Sequence, residues 1–266
     1  MSIPFQQLSF PEMYEESLVG PLFRPFAEHL IETMKIAAGE RVLDVACGTG
    51  IVSRLAKERA GAAGMVVGVD VSVPMLAVAK RQAPNVEFRE GNAMALPLRD
   101  GERFDVVLCQ QGLQFFPDRL VAAREMHRAL APGGRIGVST WRPDVEMPVL
   151  LELRRVAERH VGAVDDRRHS FGDPAAVEAL LRDAGFRSVQ SQSVSRTIRF
   201  PDGQVFTRLN AMAVVGMSAA GKELPEDRRV AVVDAIVSDS ARVVQAHTTT
   251  AGFTYEIGAV LVTAAR

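Results

Sequence analysis

Apolar positions in the first half of the chain fall in short runs, and most runs are followed by a stretch with helical spacing. Arg41–Ala46 (RVLDVA) is apolar on both faces apart from Asp44, as a strand buried in a parallel sheet should be. Gly48-Thr49-Gly50 breaks the run, and Ile51–Ala60 then reads as a helix. Met65–Val71 predicts a second strand, Val86–Arg89 a short third, Phe104–Cys109 a fourth and Arg135–Thr140 a fifth. Between them, Pro74–Arg81 carries proline in a first helical turn. Asp118–Leu130 reads as a helix with Asp118 as its N-cap and Pro132-Gly133-Gly134 as its stop. This alternation predicts right-handed βαβ units in an α/β, doubly wound, mostly parallel sheet. In such sheets ligands collect at the carboxyl ends of the strands.

The second half has a different rhythm. Val145–Val161, Asp173–Ala184, Val205–Met217 and Asp227–Ala246 are helical patterns, Gly185-Phe186 opens a strand, and Phe253–Thr263 is a late strand. The helices between Asp144 and Gly172 and between Pro201 and His247 exceed what a minimal sheet needs. Residues 143–172 and 201–247 are therefore expected to form helical cap insertions over the strand ends, a candidate substrate cap; extra scaffold or a dimer surface is the other reading.

Composition narrows the function classes. Thirty-one Lys and Arg against 32 Asp and Glu leave a formal charge of −1 over 266 residues, which argues against a nucleic-acid partner. No apolar run approaches the roughly 18–20 residues of a membrane span. The start, MSIPFQQLSFPEMYEE, lacks the basic and apolar regions of a secretory signal. Two cysteines make no disulfide framework, so a reducing cytoplasm is the expected compartment.

The chemistry concentrates around Asp44-Val-Ala-Cys-Gly48-Thr-Gly50, between a strand and a helix. Glycines there let a ligand approach backbone closely, and the helix behind offers free N–H groups. Asp70 ends the next strand, where a carboxylate can accept both hydrogen bonds of a ribose diol. These features point to an adenosine-type cofactor, either a dinucleotide or S-adenosylmethionine. The dinucleotide fingerprint is incomplete, with Ala46 and Ser53 at two of its positions, and Asp44 would repel phosphates while suiting a cationic methionine head. Tyr14 and Tyr255 are followed four places on by Leu18 and Ala259, so neither supplies the Tyr-x-x-x-Lys pair of a short-chain dehydrogenase.

VLDVACGTG (42–50), VVGVDVSVPML (66–76), EGNAMALPLRDGERFDVVLCQQGLQFFPD (90–118) and LAPGGRIGVSTW (130–141) together resemble the successive motifs of class I S-adenosylmethionine-dependent methyltransferases. The likeness is greatest to the type 11 branch, which contains the ubiquinone and menaquinone biosynthesis methyltransferases. It covers residues 40–142, with the N-terminal helix loosely and the later part in layout. It implies a single domain with a sheet of about seven strands, the last antiparallel, and with residues 1–39 as a helical lid, 40–142 as cofactor core and the two caps above. It further implies that Asp44, Ala46, Gly48 and Gly50 surround the methionine portion of S-adenosylmethionine. Asp70 would hold the ribose, Val71 and Met75 would lie near the adenine, and Asn92 and Ala93 beside its amino group. Many relatives carry Asp where this chain has Asn92; either offers an oxygen acceptor. Gln110 would present a backbone carbonyl to the cofactor's amino group, with Gln111 following it, and Tyr14 would reach the cofactor carboxylate or line the active site.

The expected reaction is methyl transfer to a small, largely apolar or aromatic metabolite, at carbon, oxygen or nitrogen. A nicotinamide-dependent oxidoreductase and a non-catalytic cofactor-binding protein are the alternatives. Trp141 is a candidate wall for a flat substrate. No catalytic base is assigned: His127 reads as part of a solvated helix face, and His160, His169 and His247 lie in or beside the cap segments. Asp165, Asp166 and His169 match no metal-site spacing, and no metal is expected. Cys47 and Cys109 end strands that the family places side by side, so they are either a pair close enough to oxidise or small buried thiols. The late helices would also permit a homodimer.

Overall fold

The computed structural model describes residues 8–266, so the first seven residues of the expected lid lie outside the described residues. Strand β1 (Arg41–Val45) is followed by α3 (Ile51–Ala60), β2 (Met65–Asp70) by α4 (Val73–Gln82), and β3 (Glu87–Glu90) leads to β4 (Phe104–Gln110). Helix α5 (Arg119–Ala129) then leads to β5 (Leu130–Trp141). Ahead of β1 lie α1 (Phe10–Tyr14), a π-helical stretch over Glu15–Phe23, and α2 (Arg24–Met34). After β5 come α6 (Pro148–Val161), α7 (Pro174–Asp183), β6 (Arg187–Phe200), α8 (Gly203–Met217), α9 (Ala219–Glu223), α10 (Glu226–Asp239), α11 (Ala241–Ala246), the two-residue β7 (Thr248–Thr249) and β8 (Gly252–Ala265).

The sheet runs β3-β2-β1-β4-β5-β8-β6, with β7 pairing only β8. The first five strands are parallel, and β8 runs antiparallel to both β5 and β6. The doubly wound, mostly parallel sheet is thus as the sequence implied. It is seven strands wide, with β7 added as a short hairpin arm.

Two-faced burial follows from strand composition. Val42, Val66 and Leu108 pack into one core with Leu30 of α2, Leu55 of α3 and Leu76 of α4. Leu43, Val67 and Val107 pack into the other with Met126 of α5 and Leu181 of α7. Each such side chain, fully buried, contributes about 1.5–3 kcal/mol of transfer free energy. A third cluster joins α6, α8 and α10 through Val156, Val214 and Ile236.

Several boundaries differ from the pattern reading. The single helix expected over Asp227–Ala246 is divided at Ser240 into α10 and α11. The short helix α9 follows the Ser218 cap, whose Oγ accepts the Gly221 N–H. Cys47 belongs to one core layer and Cys109 to the other, so of the two readings the small buried thiols hold. His127 also departs from expectation. It is half-buried, its ring standing edge-on to Phe186 at 4.9 Å between centroids.

Candidate functional site

The parallel strands β1, β2 and β4 deliver their carboxyl ends to one edge of the sheet, and the backbone there is bent by design of the sequence. Gly48 and Gly50 have φ of 54° and 88°, and two non-glycine residues share that left-handed region, Ala46 at 59° and Gln111 at 55°. Glycine takes this conformation freely, whereas at Ala46 and Gln111 it costs about 1–3 kcal/mol each, and such strain clusters at ligand sites. At Gly50, which caps α3, an added Cβ would stand 3.0 Å from the Phe88 ring. A Cβ on Gly48 would meet nothing within 4 Å. The Gly48 side of the bend is therefore open to a ligand, while the Gly50 side is packed.

Two carboxylates face this bend from different depths. Asp44 is 1% exposed and its Oδ2 accepts the Ser53 hydroxyl at 2.6 Å. Burial pushes its pKa up to about 7, the Ser53 hydrogen bond pulls the other way, and the nearby charge of Asp70 adds to the rise. A cation arriving at this site would favour the charged form. Asp70 is half-buried; its Oδ2 accepts the Gly48 N–H at 2.8 Å and its Oδ1 accepts the Ser72 N–H at 2.8 Å. Each oxygen keeps a second lone pair, so Asp70 anchors the bend and can still accept from a diol. Ser53 entered the sequence reading only as a break in the dinucleotide fingerprint and Ser72 not at all, although a serine at each helix start was the available signal.

The expected adenine side is more exposed. Val71 is 65% exposed, Met75 is half-buried behind the Ser72 cap of α4, and Ala93 is buried. Asn92 is exposed, with its Oδ1 accepting the Met94 N–H at 2.9 Å, so the oxygen offered to an adenine amine is partly engaged.

At the β4 end, the Gln110 side chain adds a contact beyond the backbone role expected of it. Its side chain turns to the N-terminal segment, Nε2 donating to the Phe23 carbonyl at 3.1 Å, while its buried Oε1 has no partner among the described residues. Gln111 donates its N–H to the Ser139 carbonyl at 2.8 Å and its Nε2 to Ser139 Oγ at 3.3 Å. Gln114 donates Nε2 to Gln111 Oε1 at 3.5 Å and is itself 1% exposed, with Oε1 unpaired among the described residues.

Tyr14 stands at the head of a file of aromatic rings. Its ring lies 4.8 Å from that of Phe23; Phe23 lies 5.9 Å and Phe26 4.8 Å from Trp141. Burial holds the Tyr14 phenol well above its ordinary pKa, helped by the Glu15 and Asp70 charges, so it is a neutral donor. The segment carrying it is pinned across the sheet edge by Glu15 to Arg54 of α3 at 2.8 Å and Glu12 to Arg81 of α4 at 2.9 Å. The structure thus brings Tyr14, Asp44, Ala46, Gly48, Gly50, Asp70, Gln110 and Gln111 to one edge, and leaves Val71 and Asn92 at its rim.

The donor set suits S-adenosylmethionine better than a dinucleotide. Two carboxylates and an unpaired buried amide oxygen, Gln110 Oε1, complement a cationic, donor-rich head. Diphosphate would face Asp44 and Asp70 instead.

A family model described as a methyltransferase domain matches residues 43–138. The chain is 33% identical to nocamycin O-methyltransferase of Saccharothrix syringae over 82% of its length and 83% of that protein's. It is 35% identical to demethylmenaquinone methyltransferase of Lactococcus lactis over 58% of its own length and 68% of that protein's. Among solved structures it is similar to the YcgJ protein of Bacillus subtilis, with a TM-score of 0.59 at 20% identity over 90% of this chain and 97% of that one.

Proposed function

The chain belongs to the methyltransferase family, with S-adenosylmethionine as its cofactor, and from that premise we propose that it methylates a small, largely apolar or aromatic metabolite. The observation that carries this reading is the Asp70 carboxylate gripping the Gly48 N–H beside buried Asp44, a bend with negative rather than positive partners. Asp44, Gly48 and Gln110 would hold the methionine head, Asp70 the ribose, and Met75, Asn92 and Ala93 the base. When bound, the cofactor supplies an electrophilic methyl group on a positively charged sulfur.

The chain's own task is positional. A nucleophile held about 3–3.5 Å from the methyl carbon and in line with the sulfur gains most of what an enzyme can supply here. Excluding water helps, because charge is neutralised along the reaction. Residues 1–39 act as a lid and residues 143–172 and 201–247 as a cap in this reading. The ring file from Tyr14 to Trp141 supports a flat, apolar acceptor. The names of the two relatives favour the same class, one acting at oxygen and the other on a quinone precursor. We place the reaction in the cytoplasm, in keeping with two free cysteines.

Calorimetric titration tests the cofactor: S-adenosylmethionine should bind and NAD should not. Incubation with methyl-labelled cofactor and a metabolite extract should yield a labelled small molecule. Cofactor binding without any labelled product would instead favour a non-catalytic role.

A further inference from the structure

His169 occupies a short 3₁₀ turn, Arg167–His169, that packs against the end of β5 and the turn Leu113–Phe115 after β4. The segment is pressed onto the strand end: a Cβ on Gly172 would stand 2.0 Å from the Trp141 carbonyl oxygen. His169 is 9% exposed, and its Nδ1 lies 2.9 Å from the carbonyl oxygen of Arg142. A carbonyl only accepts, so Nδ1 carries the hydrogen, and in the neutral ring the lone pair sits on Nε2. Nε2 has no hydrogen-bond partner among the described residues and is not sealed from solvent. The neighbouring turn contributes Gln114, whose buried Oε1 is a second unpaired acceptor. Two free acceptors at the β4–β5 edge call for a ligand that donates a proton.

We propose that His169 is the general base of the methyl transfer, its Nε2 taking the proton of an acceptor hydroxyl on a phenol, enol or alcohol. The inference rests on the methyl-transfer reading above. The O–H bond breaks with its proton passing to Nε2, and an O–CH3 bond forms. The bond from methyl to sulfur breaks with its electron pair staying on sulfur, and the imidazolium later gives its proton to water. Gln114 orients the hydroxyl-bearing acceptor. The charged surroundings suit the role. Burial and the Arg168 charge lower the His169 pKa, Asp166 and Asp144 pull the other way, and the ring is thus largely neutral at neutral pH. Arg168 is itself paired with Asp166 at 2.6 Å, Asp144 lies 3.1 Å from Arg154, and from α5 Arg119 stacks over Phe171.

The test uses the full chain saturated with S-adenosylhomocysteine. Nitrogen-15 imidazole spectra at neutral pH should show His169 with a protonated Nδ1 and a bare Nε2. Adding 2-naphthol should move the Nε2 signal, whereas 2-methoxynaphthalene, which has no proton to give, should leave it in place. An Nε2–H tautomer, or an Nε2 signal unmoved by 2-naphthol, overturns the proposal. On the hydroxyl acceptor recovered from the labelled extract, His169→Gln should lower kcat by about 100-fold with KM little changed, and should remove the imidazole limb of the pH–rate profile. His169→Asn, a smaller change that keeps a side-chain donor for the Arg142 carbonyl, should show the same loss at wild-type melting temperature. Unchanged kcat in folded variants also overturns the assignment. Both variants should bind S-adenosylhomocysteine as the wild type does. Failure of the wild type to bind it sinks the cofactor reading and leaves the tautomer measurement standing on its own.

Discussion

Ser53 Oγ donates to Asp44 Oδ2 at 2.6 Å, with both residues essentially closed to solvent. This bond links the first turn of α3 to the carboxylate of β1 and sets the protonation state that a cationic ligand meets. Burial raises the Asp44 pKa to about 7, so part of the free protein carries a proton there at neutral pH. Binding a cation favours the ionised form, so binding should release that proton. Affinity for S-adenosylmethionine should then fall with pH below about 7, by up to about tenfold per unit. Titrations in buffers of different ionisation enthalpy measure the released proton directly. Asp44→Asn should abolish the release, and Ser53→Ala should move the affinity profile to higher pH.

The two glycines of the bend should fail in different ways. Gly50→Ala places a methyl group 3.0 Å from Phe88 at a φ of 88°, so it should cost about 1–3 kcal/mol of stability. Gly48→Ala meets open space, so strain alone, about 1 kcal/mol, should appear in unfolding. Its methyl group would occupy ligand space, and cofactor affinity should drop by roughly tenfold or more. Paired urea melts and calorimetric titrations of the two variants check the contrast.

Tyr14→Phe removes one hydroxyl and keeps the ring packed against Phe23. Cofactor affinity should weaken by roughly three- to tenfold, the size of one hydrogen bond. An unchanged dissociation constant would take Tyr14 out of the site and leave it as lid packing.

Arg89 grips Glu102 through two hydrogen bonds, at 2.6 and 2.8 Å, and ties β3 to the loop that leads into β4. Those bonds hold the Glu102 carboxyl down at about 2. Because the folded-state pKa is depressed, the stabilisation is complete above the ordinary carboxylate range and is lost as pH falls through that range to about 2. Urea midpoints should fall over this window. Glu102→Gln should flatten that dependence and cost about 1.5 kcal/mol near neutrality, the size of one charged hydrogen bond, since Arg89 keeps Glu87 at 2.9 Å and the Pro97 carbonyl at 3.1 Å.

Local pattern determined much of this protein. The apolar runs of β1, β2 and β4 and the breaks at Gly48 and Gly50 fix a parallel sheet with a bent edge, because burial on both faces and positive φ are demands on single residues. Asp44 and Asp70 were legible as ligand-facing for the same reason: each carboxylate interrupts or ends an apolar strand. Contacts between distant segments were decided only by the tertiary structure. Gln110 meets the Phe23 carbonyl across 87 positions of chain, and His169 acquires its tautomer from Arg142, 27 positions away. Likewise, the left-handed turn at Ala46, just past the end of β1, puts Cys47 in the core layer opposite that of Cys109. Periodicity reports which face a residue occupies, whereas a hydrogen bond's partner depends on how those faces are brought together.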